Sequence, residues 1–424
     1  MNTQKINGTD ILHAASAESF ILRTGTYFDG VDVVDSVPVD IEVRDGKISS
    51  VRPARSGGAE DIPVADCSGA FVMPGLIEAH VHLSGMATAE PYRRYFENPD
   101  IRLIKAMRQT EELLSRGYTT IRDMGGKGKG LSLKEAIAKG LYLGPRILAP
   151  IEYISPTGGH ADWPVLPYDF VKENMLRGVI VDGVDECVQA VRYLLREKAD
   201  FVKLATAAGS MAQSYDGMFF KPCFTVAEIT AMCDEAHSQR KKVAAHAMGD
   251  EGIRRSLIGG VDTFEHCFYE YEKYPDILDL LLEKNAIVVP TLCLVKWFQE
   301  IEENNGRMQN AAYFDKHMEK HYAFVRTAYE AGVPIACGSD ENGIFGPVGR
   351  CMEEYGHLAN AGLSNVAILR GATSIAARAL DIAEKTGKIA PGMSADLLVL
   401  EKSPLDRIEI LQEKANVKLV VLGA

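Results

Sequence analysis

The apolar run "VMPGLIEAHVHL", residues 72 to 83, ends on two histidines one residue apart. In a β-strand, residues i and i+2 project to the same face about 6.6 Å apart along the axis. His80 and His82 therefore point together and could grip one cation through imidazole nitrogens. A pair of hydrogen-bonded core histidines is the alternative.

Lys203, in "DFVKLATAAG", adds a second kind of group. Val202 and Leu204 take the helix-facing side of this run, which sends Lys203 inward, and lysine is almost never fully buried unless something pairs with it. A neutral, desolvated lysine amine can add carbon dioxide to give a carbamate, an oxygen donor able to bridge two divalent cations. Burial lowers the amine pKa in the required direction. The competing reading pairs the lysine with an interior carboxylate. Three later apolar runs end in the same way: "KVAAHAM" on His246, "VDTFEHCFY" on His266 and "VPIACGSD" on Asp340. His80, His82, Lys203, His246, His266 and Asp340 together offer nitrogen and oxygen donors without sulfur. That set suits zinc and tolerates manganese, iron or cobalt.

Such a constellation needs elements that bring six distant positions to one rim. From Val72 onward, apolar strand candidates alternate with amphipathic stretches such as "RLIKAMRQTEELLSRG" and "VDECVQAVRYLLREKA". The eight strand candidates are "LIEAHVHL", "TTIRDMG", "RILAPIEY", "DFVKLATAAG", "KVAAHAM", "VDTFEHCFY", "AIVVPTL" and "VPIACGSD". Their alternation predicts an α/β fold, a closed (β/α)8 TIM barrel over residues 73–375, whose strand ends form the catalytic rim. An open doubly wound sheet is the alternative, but no strand-to-helix turn carries GxGxxG. Short β-type runs on either side, 19–72 and 376–424, are expected to form one small β-sandwich domain into which the barrel is inserted. Residues 1–18 read as a loose leader.

The chain has 424 residues, more than the roughly 250–300 at which one hydrophobic core stops growing. Its net charge of -12 argues against a nucleic-acid partner, which would call for a basic patch. No stretch approaches the roughly 18 apolar residues of a membrane span, and the first 20 residues lack a signal-peptide core, so a cytoplasmic protein acting on a small molecule is expected. The eight cysteines are scattered without a CxxC pair, which indicates neither a thiolate zinc site nor a redox motif.

The ordered motifs "MPGLIEAHVHL", "TTIRDMGG", "SPTGGHAD", "VKLATAAG", "AAHAMGDEGI", "TFEHCF", "GSDENG" and "GKIAPGMSADLLVL" resemble the amidohydrolase superfamily. More narrowly, they resemble its carboxylated-lysine branch of prolidase-like dipeptidases, arginine carboxypeptidases and ochratoxinase-type amidases. The resemblance implies two divalent metal ions, zinc being the expected pair. His80 and His82 would serve one ion, His246 and His266 the other, with a Lys203 carbamate between them and Asp340 as both ligand and proton carrier. It further implies that His160 of "SPTGGHAD" polarises the substrate carbonyl while a metal-bridging hydroxide attacks an amide bond, and that the chain forms a homo-oligomer. Dipeptides or N-acyl amino acids are the expected substrates. A cyclic amide or a xenobiotic amide, carbamate or urea is the enzymatic alternative, and a non-catalytic barrel scaffold the alternative of another class. Glu78 stands where the first motif commonly has Asp, Cys267 where Gly is typical, and Met248 where related dipeptidases carry a tyrosine, so recognition of a substrate carboxylate departs from the usual pattern.

Other candidates are weaker. Tyr215, in "SMAQSYDGMFFKP", and Arg254, just beyond His246, could contact substrate, although a helix surface explains Arg254 and Arg255 more simply. "GGKGKG" lacks the P-loop ending and reads as a rim loop in which Lys127 or Lys129 could meet an anionic group. Asp123 reads as a carboxylate supporting the site or as a turn former. "HMEKH" lacks the glutamate placement of a helical zinc protease, so His317 and His321 read as a solvated helix face.

Overall fold

The computed structural model describes residues 3–16, 19–54, 62–83, 96–125, 129–162, 166–175, 178–208, 220–268, 274–304, 308–342 and 348–423. Tyr215 and Lys127 lie outside the described residues.

Two strand systems share the chain. The first is a nine-stranded sheet. Its order runs Gln4–Ile6, Thr9–His13, Val417–Leu422, Leu397–Leu400, Phe71–Pro74, Phe20–Phe28, Val33–Arg44 and Lys47–Pro53, with Val64–Asp66 paired to Phe20–Phe28. Chain start and chain end are thus neighbours in one sheet, a layout that fits a β-sandwich. Phe20, Leu22, Ile41, Val43, Val72, Leu397 and Val399 alternate along their strands and pack into one cluster, as period-two patterning requires. Residues 4–13 are not a loose leader. They form a hairpin whose second strand pairs in parallel with Val417–Leu422, Asp10 opposite Leu419. Ile11 and Leu12 are each 1% exposed; two buried apolar side chains anchor a segment too short to show clear periodicity.

The second system consists of parallel strands separated by helices. Arg146–Leu148, Tyr118–Asp123 and Leu76–Val81 form one sheet. Gly178–Ile180, Tyr153–Ser155, Val202–Ala205, Val243–Ala247, Thr263–His266 and Ile287–Val289 form another. Every residue of Leu76–Val81, Val202–Ala205 and Val243–Ala247 is buried, as parallel strands covered on both faces must be. The expected strand "RILAPIEY" is two pieces, because Pro150 has no N–H to donate and Ile151 adopts φ 73°. The expected strand "VPIACGSD" and the following Glu341 form isolated bridges instead of a regular ladder, Ile335 with Val288 and Glu341 with Val81. Gly338 passes so close to Leu76–Val81 that a Cβ on it would lie 2.8 Å from His80 N, which leaves room only for glycine.

Helix starts are locally encoded. Pro99–Ser115 begins with proline at its first position and with Asn98 accepting from Asp100 N at 2.8 Å. Val226–Ser238 begins with a reciprocal Thr225/Glu228 capping box.

Candidate metal centre

The C-terminal ends of the parallel strands bring the candidate residues together. His80 Nε2 lies 3.4 Å and His82 Nε2 3.2 Å from Asp340 Oδ1. One ligand atom each from His80, His266 and Asp340 falls within 4.8 Å of the other two. His266 packs on His80 with ring centroids 5.0 Å apart and on His246 at 4.6 Å, and His246 stacks on His160 at 4.2 Å.

Three of these imidazoles are turned by a bond to Nδ1. His80 Nδ1 meets Glu265 Oε2 at 2.8 Å, His82 Nδ1 meets Gly125 O at 3.0 Å and His266 Nδ1 meets Thr291 Oγ1 at 2.7 Å. Tying Nδ1 orients the ring and presents Nε2, the arrangement found around metal-ligating histidines. His160 is held likewise, Nδ1 donating to Ala208 O at 2.7 Å.

Lys203 is 3% exposed, and its Nζ has no hydrogen-bond partner among the described residues. Burial pulls its ammonium down to about 8, against the opposing charge of Glu265. A buried polar atom without a partner is costly, and this one lies among imidazoles and carboxylates. The donor set therefore fits a divalent cation: nitrogen and oxygen ligands, no thiolate, and an orphaned amine in their midst. Asp340 and His266 hold left-handed φ values of 61° and 67°, backbone strain of the kind that gathers at functional sites.

Beneath the centre runs a buried network that the candidate ligands alone do not reveal. Arg122 donates from Nη2 to Glu265 Oε1 at 2.8 Å, from Nε to Ala79 O at 2.6 Å and from Nη1 to Thr263 Oγ1 at 3.1 Å. Burial alone would raise the Glu265 carboxyl, but Arg122, Lys203 and His80 override it and hold it at about 2. Glu78 accepts from His80 N at 3.0 Å and Ser339 N at 2.9 Å, joining the first strand to the segment bearing Asp340; burial pushes its carboxyl well above the usual range. Asp123 accepts from Leu83 N and Gly125 N at 3.3 and 3.2 Å, holding the turn that presents Gly125 O to His82.

Two expectations resolve differently. Arg254 is not brought to the centre: its Nε pairs with Asp276 at 2.9 Å and its guanidinium lies over Tyr274. His321 is not on a solvated face but 2% exposed, with Nε2 donating to His266 O at 2.8 Å. The helix Met308–Glu330 packs against the centre and turns this histidine inward. A signal for Glu265 and Arg122 was available: each is a charged residue within an apolar parallel strand, the same anomaly that singles out Lys203.

Comparison with known proteins places this geometry. The model of the amidohydrolase family matches residues 71–424. An ochratoxinase of Aspergillus niger is 28% identical over 371 residues, covering 83% of this chain and 74% of the relative. A solved Xaa-Pro dipeptidase with methionine bound in its active site superposes with a TM-score of 0.81 at 27% identity, over 96% of this chain and 98% of that one. A prolidase complexed with N-methylphosphonate-L-proline superposes with a TM-score of 0.82 at 28% identity, again over 96% and 98%. With a family match spanning most of its length and a nitrogen-and-oxygen donor cluster at its strand ends, this chain belongs to the amidohydrolase family and is a hydrolase acting on C–N bonds.

Proposed function

We propose that the chain cleaves the amide bond of dipeptides or N-acyl amino acids, releasing a C-terminal amino acid, at a binuclear centre. The observation that carries this reading is Lys203, a buried amine that lies near histidine and carboxylate donors and has no hydrogen-bond partner among the described residues. Lys203 would add carbon dioxide, its nitrogen losing a proton as the N–C bond forms, and so become a bidentate oxygen donor. His80, His82, His246, His266, Asp340 and the modified Lys203 would hold two divalent cations, zinc being the expected pair. When bound, such cations lower the pKa of water toward about 7 and polarise a carbonyl oxygen.

The residues of the chain do the rest. Asp340, within 3.4 Å of two imidazoles, takes the proton released by the attacking water and passes it to the departing amine. His160, with Nδ1 committed to Ala208 O, can donate to the substrate carbonyl oxygen only through Nε2, as an imidazolium. Glu265 and Gly125 O keep the ligand imidazoles aimed inward. The parallel strands are read as one closed eight-stranded barrel, supported by the bonds that 334–341 makes to strands on both sides, Ala79 N to Cys337 O at 3.0 Å and Ala336 N to Val288 O at 2.8 Å. The related dipeptidase that holds methionine supports release of an amino acid. The resemblance also leads us to propose homo-oligomeric assembly and a cytoplasmic setting.

The test is a hydrolysis screen of zinc-loaded protein with dipeptides and N-acyl amino acids, against cyclic amides and aryl carbamates as controls. Amino-acid release from the first set alone is expected. Turnover confined to the controls would transfer the function to cyclic or xenobiotic substrates.

A further inference from the structure

We propose that Arg102 and Lys129 form a subsite for the substrate's free carboxylate, on the rim beside His82; this rests on the amino-acid-releasing reading above and names what selects its substrates.

Chain direction puts Arg102 at the rim. Leu76 N donates to Gly117 O at 3.0 Å, tying the end of helix Pro99–Ser115 to the start of strand Leu76–Val81. The helix therefore runs back along the strand, and its first turn lies at the end bearing His80 and His82. Arg102, Ala106, Gln109 and Leu113 are the buried face of this helix, spaced as one stripe. Gln109 faces Glu341, whose backbone oxygen accepts from His82 N at 2.9 Å. Arg102 stands seven residues nearer the rim, about 10 Å along the helix axis.

Arg102 is an unusual residue there. It is 8% exposed, its Nε has no hydrogen-bond partner, and it makes no ion pair among the described residues. A guanidinium taken out of water without an anion is costly, and its planar fork matches a carboxylate two bonds at a time. Lys129 brings a second positive charge to the same corner. It opens helix Lys129–Ala138, and its neighbour Gly130 is pressed onto the end of the second strand, where an added Cβ would lie 2.5 Å from Asp123 Oδ2. That carboxylate holds Gly125, whose oxygen orients His82. Burial first and the charge of Arg102 second depress the Lys129 ammonium, and Asp100 only partly opposes them. Of the charges that act on Lys129, Arg102 outweighs Asp100, and a carboxylate bound between the two cations would offset their repulsion.

The class of ligand is thus an N-acyl amino acid or dipeptide with a free C-terminal carboxylate. The probes are a panel of N-methylsulfonyl amino acids, inert to amide hydrolysis, and their neutral carboxamides, titrated calorimetrically into full-length zinc-loaded protein. We expect acids to bind wild type at least about tenfold tighter than the matching carboxamides. Arg102→Met should bring that ratio close to one, Arg102→Lys should restore part of it, and Lys129→Met should reduce it several-fold. Should the Arg102 variants fail to fold by circular dichroism, Lys129→Met decides. Failure of every acid to outbind its carboxamide, or an undiminished ratio in the folded variants, overturns the subsite. A parallel hydrolysis assay separates the two proposals: acid preference without any amide turnover sinks the amidase reading and supports the subsite, whereas turnover without acid preference does the reverse.

Discussion

Glu265 Oε2 lies 2.8 Å from His80 Nδ1, with both side chains withdrawn from solvent and the other carboxylate oxygen paired to Arg122. This contact sets which imidazole nitrogen faces the centre. Because the carboxylate accepts, Nδ1 carries the proton and Nε2 is left as a ligand. Glu265→Gln should cut metal affinity by about 10–100-fold. It should also destabilise the fold by about 3–5 kcal/mol, because Arg122 loses its counter-charge. Metal retained against a graded chelator series, followed by denaturant titration, measures both; wild-type retention would remove Glu265 from this role.

Lys203→Ala should abolish amide turnover and, on the proposed binuclear reading, leave fewer than two metal ions per chain. Burial draws the Lys203 amine down to about 8, so a substantial fraction is neutral and able to react with carbon dioxide near that pH. Wild-type protein reconstituted with zinc and carbon-13-labelled bicarbonate should show a carbamate carbon by NMR that Lys203→Ala lacks. A wild-type spectrum without that signal would argue for the unmodified amine.

His321 supports the backbone of His266, a residue at φ 67°. Phenylalanine at 321 keeps the ring contact with Phe268, centroids 5.4 Å apart, but leaves the His266 carbonyl without its donor. Leaving a buried acceptor unpaired costs about 1–3 kcal/mol. Urea unfolding of His321→Phe should show a lower midpoint at unchanged slope, together with faster zinc loss to chelator. Equal midpoints would make the contact incidental.

Glu354 is a further pH-sensitive carboxyl. It is buried and accepts from Leu292 N at 3.0 Å and Cys293 N at 2.8 Å. Burial pushes its carboxyl up to about 7 from an ordinary 4.5, while the two N–H groups resist the rise. Across that window the folded state holds a proton that the unfolded state releases. Stability from this group is therefore complete below about pH 4.5 and is lost as pH rises toward about 7, amounting to about 3 kcal/mol. Glu354→Gln should flatten the pH dependence of the urea midpoint over this range, with a residual slope from Glu78 and Glu341, whose carboxyls burial also raises. A slope as steep as wild type would exclude Glu354 as its source.

Local patterning made much of the fold legible. Apolar strand runs and amphipathic stretches announce the parallel strands and their helices, because burial on both faces leaves a continuous apolar signature. The hairpin at residues 4–13 escaped, since five-residue strands carry too few turns of any period and this one is held by its distant partner Val417–Leu422. Helix Met308–Glu330 shows a polar "HMEKH" face, yet packing turns His321 inward. Sequence spacing places side chains around a helix but does not say which face meets a neighbour.

Residue type and strand position, by themselves, singled out the candidate ligands of a cation: His80, His82, His246, His266 and Asp340 close apolar runs, Lys203 sits inside one, and period-two geometry aims the first pair together. Only the tertiary structure decided what holds and tunes them. Glu265, Arg122, Glu78 and His321 reach the centre through contacts between segments far apart in the chain, such as His80 with Glu265 and Ser339 with Glu78. Whether a charge is desolvated, paired or left waiting for a ligand depends on which surfaces close over it. Local spacing carries no record of that closure.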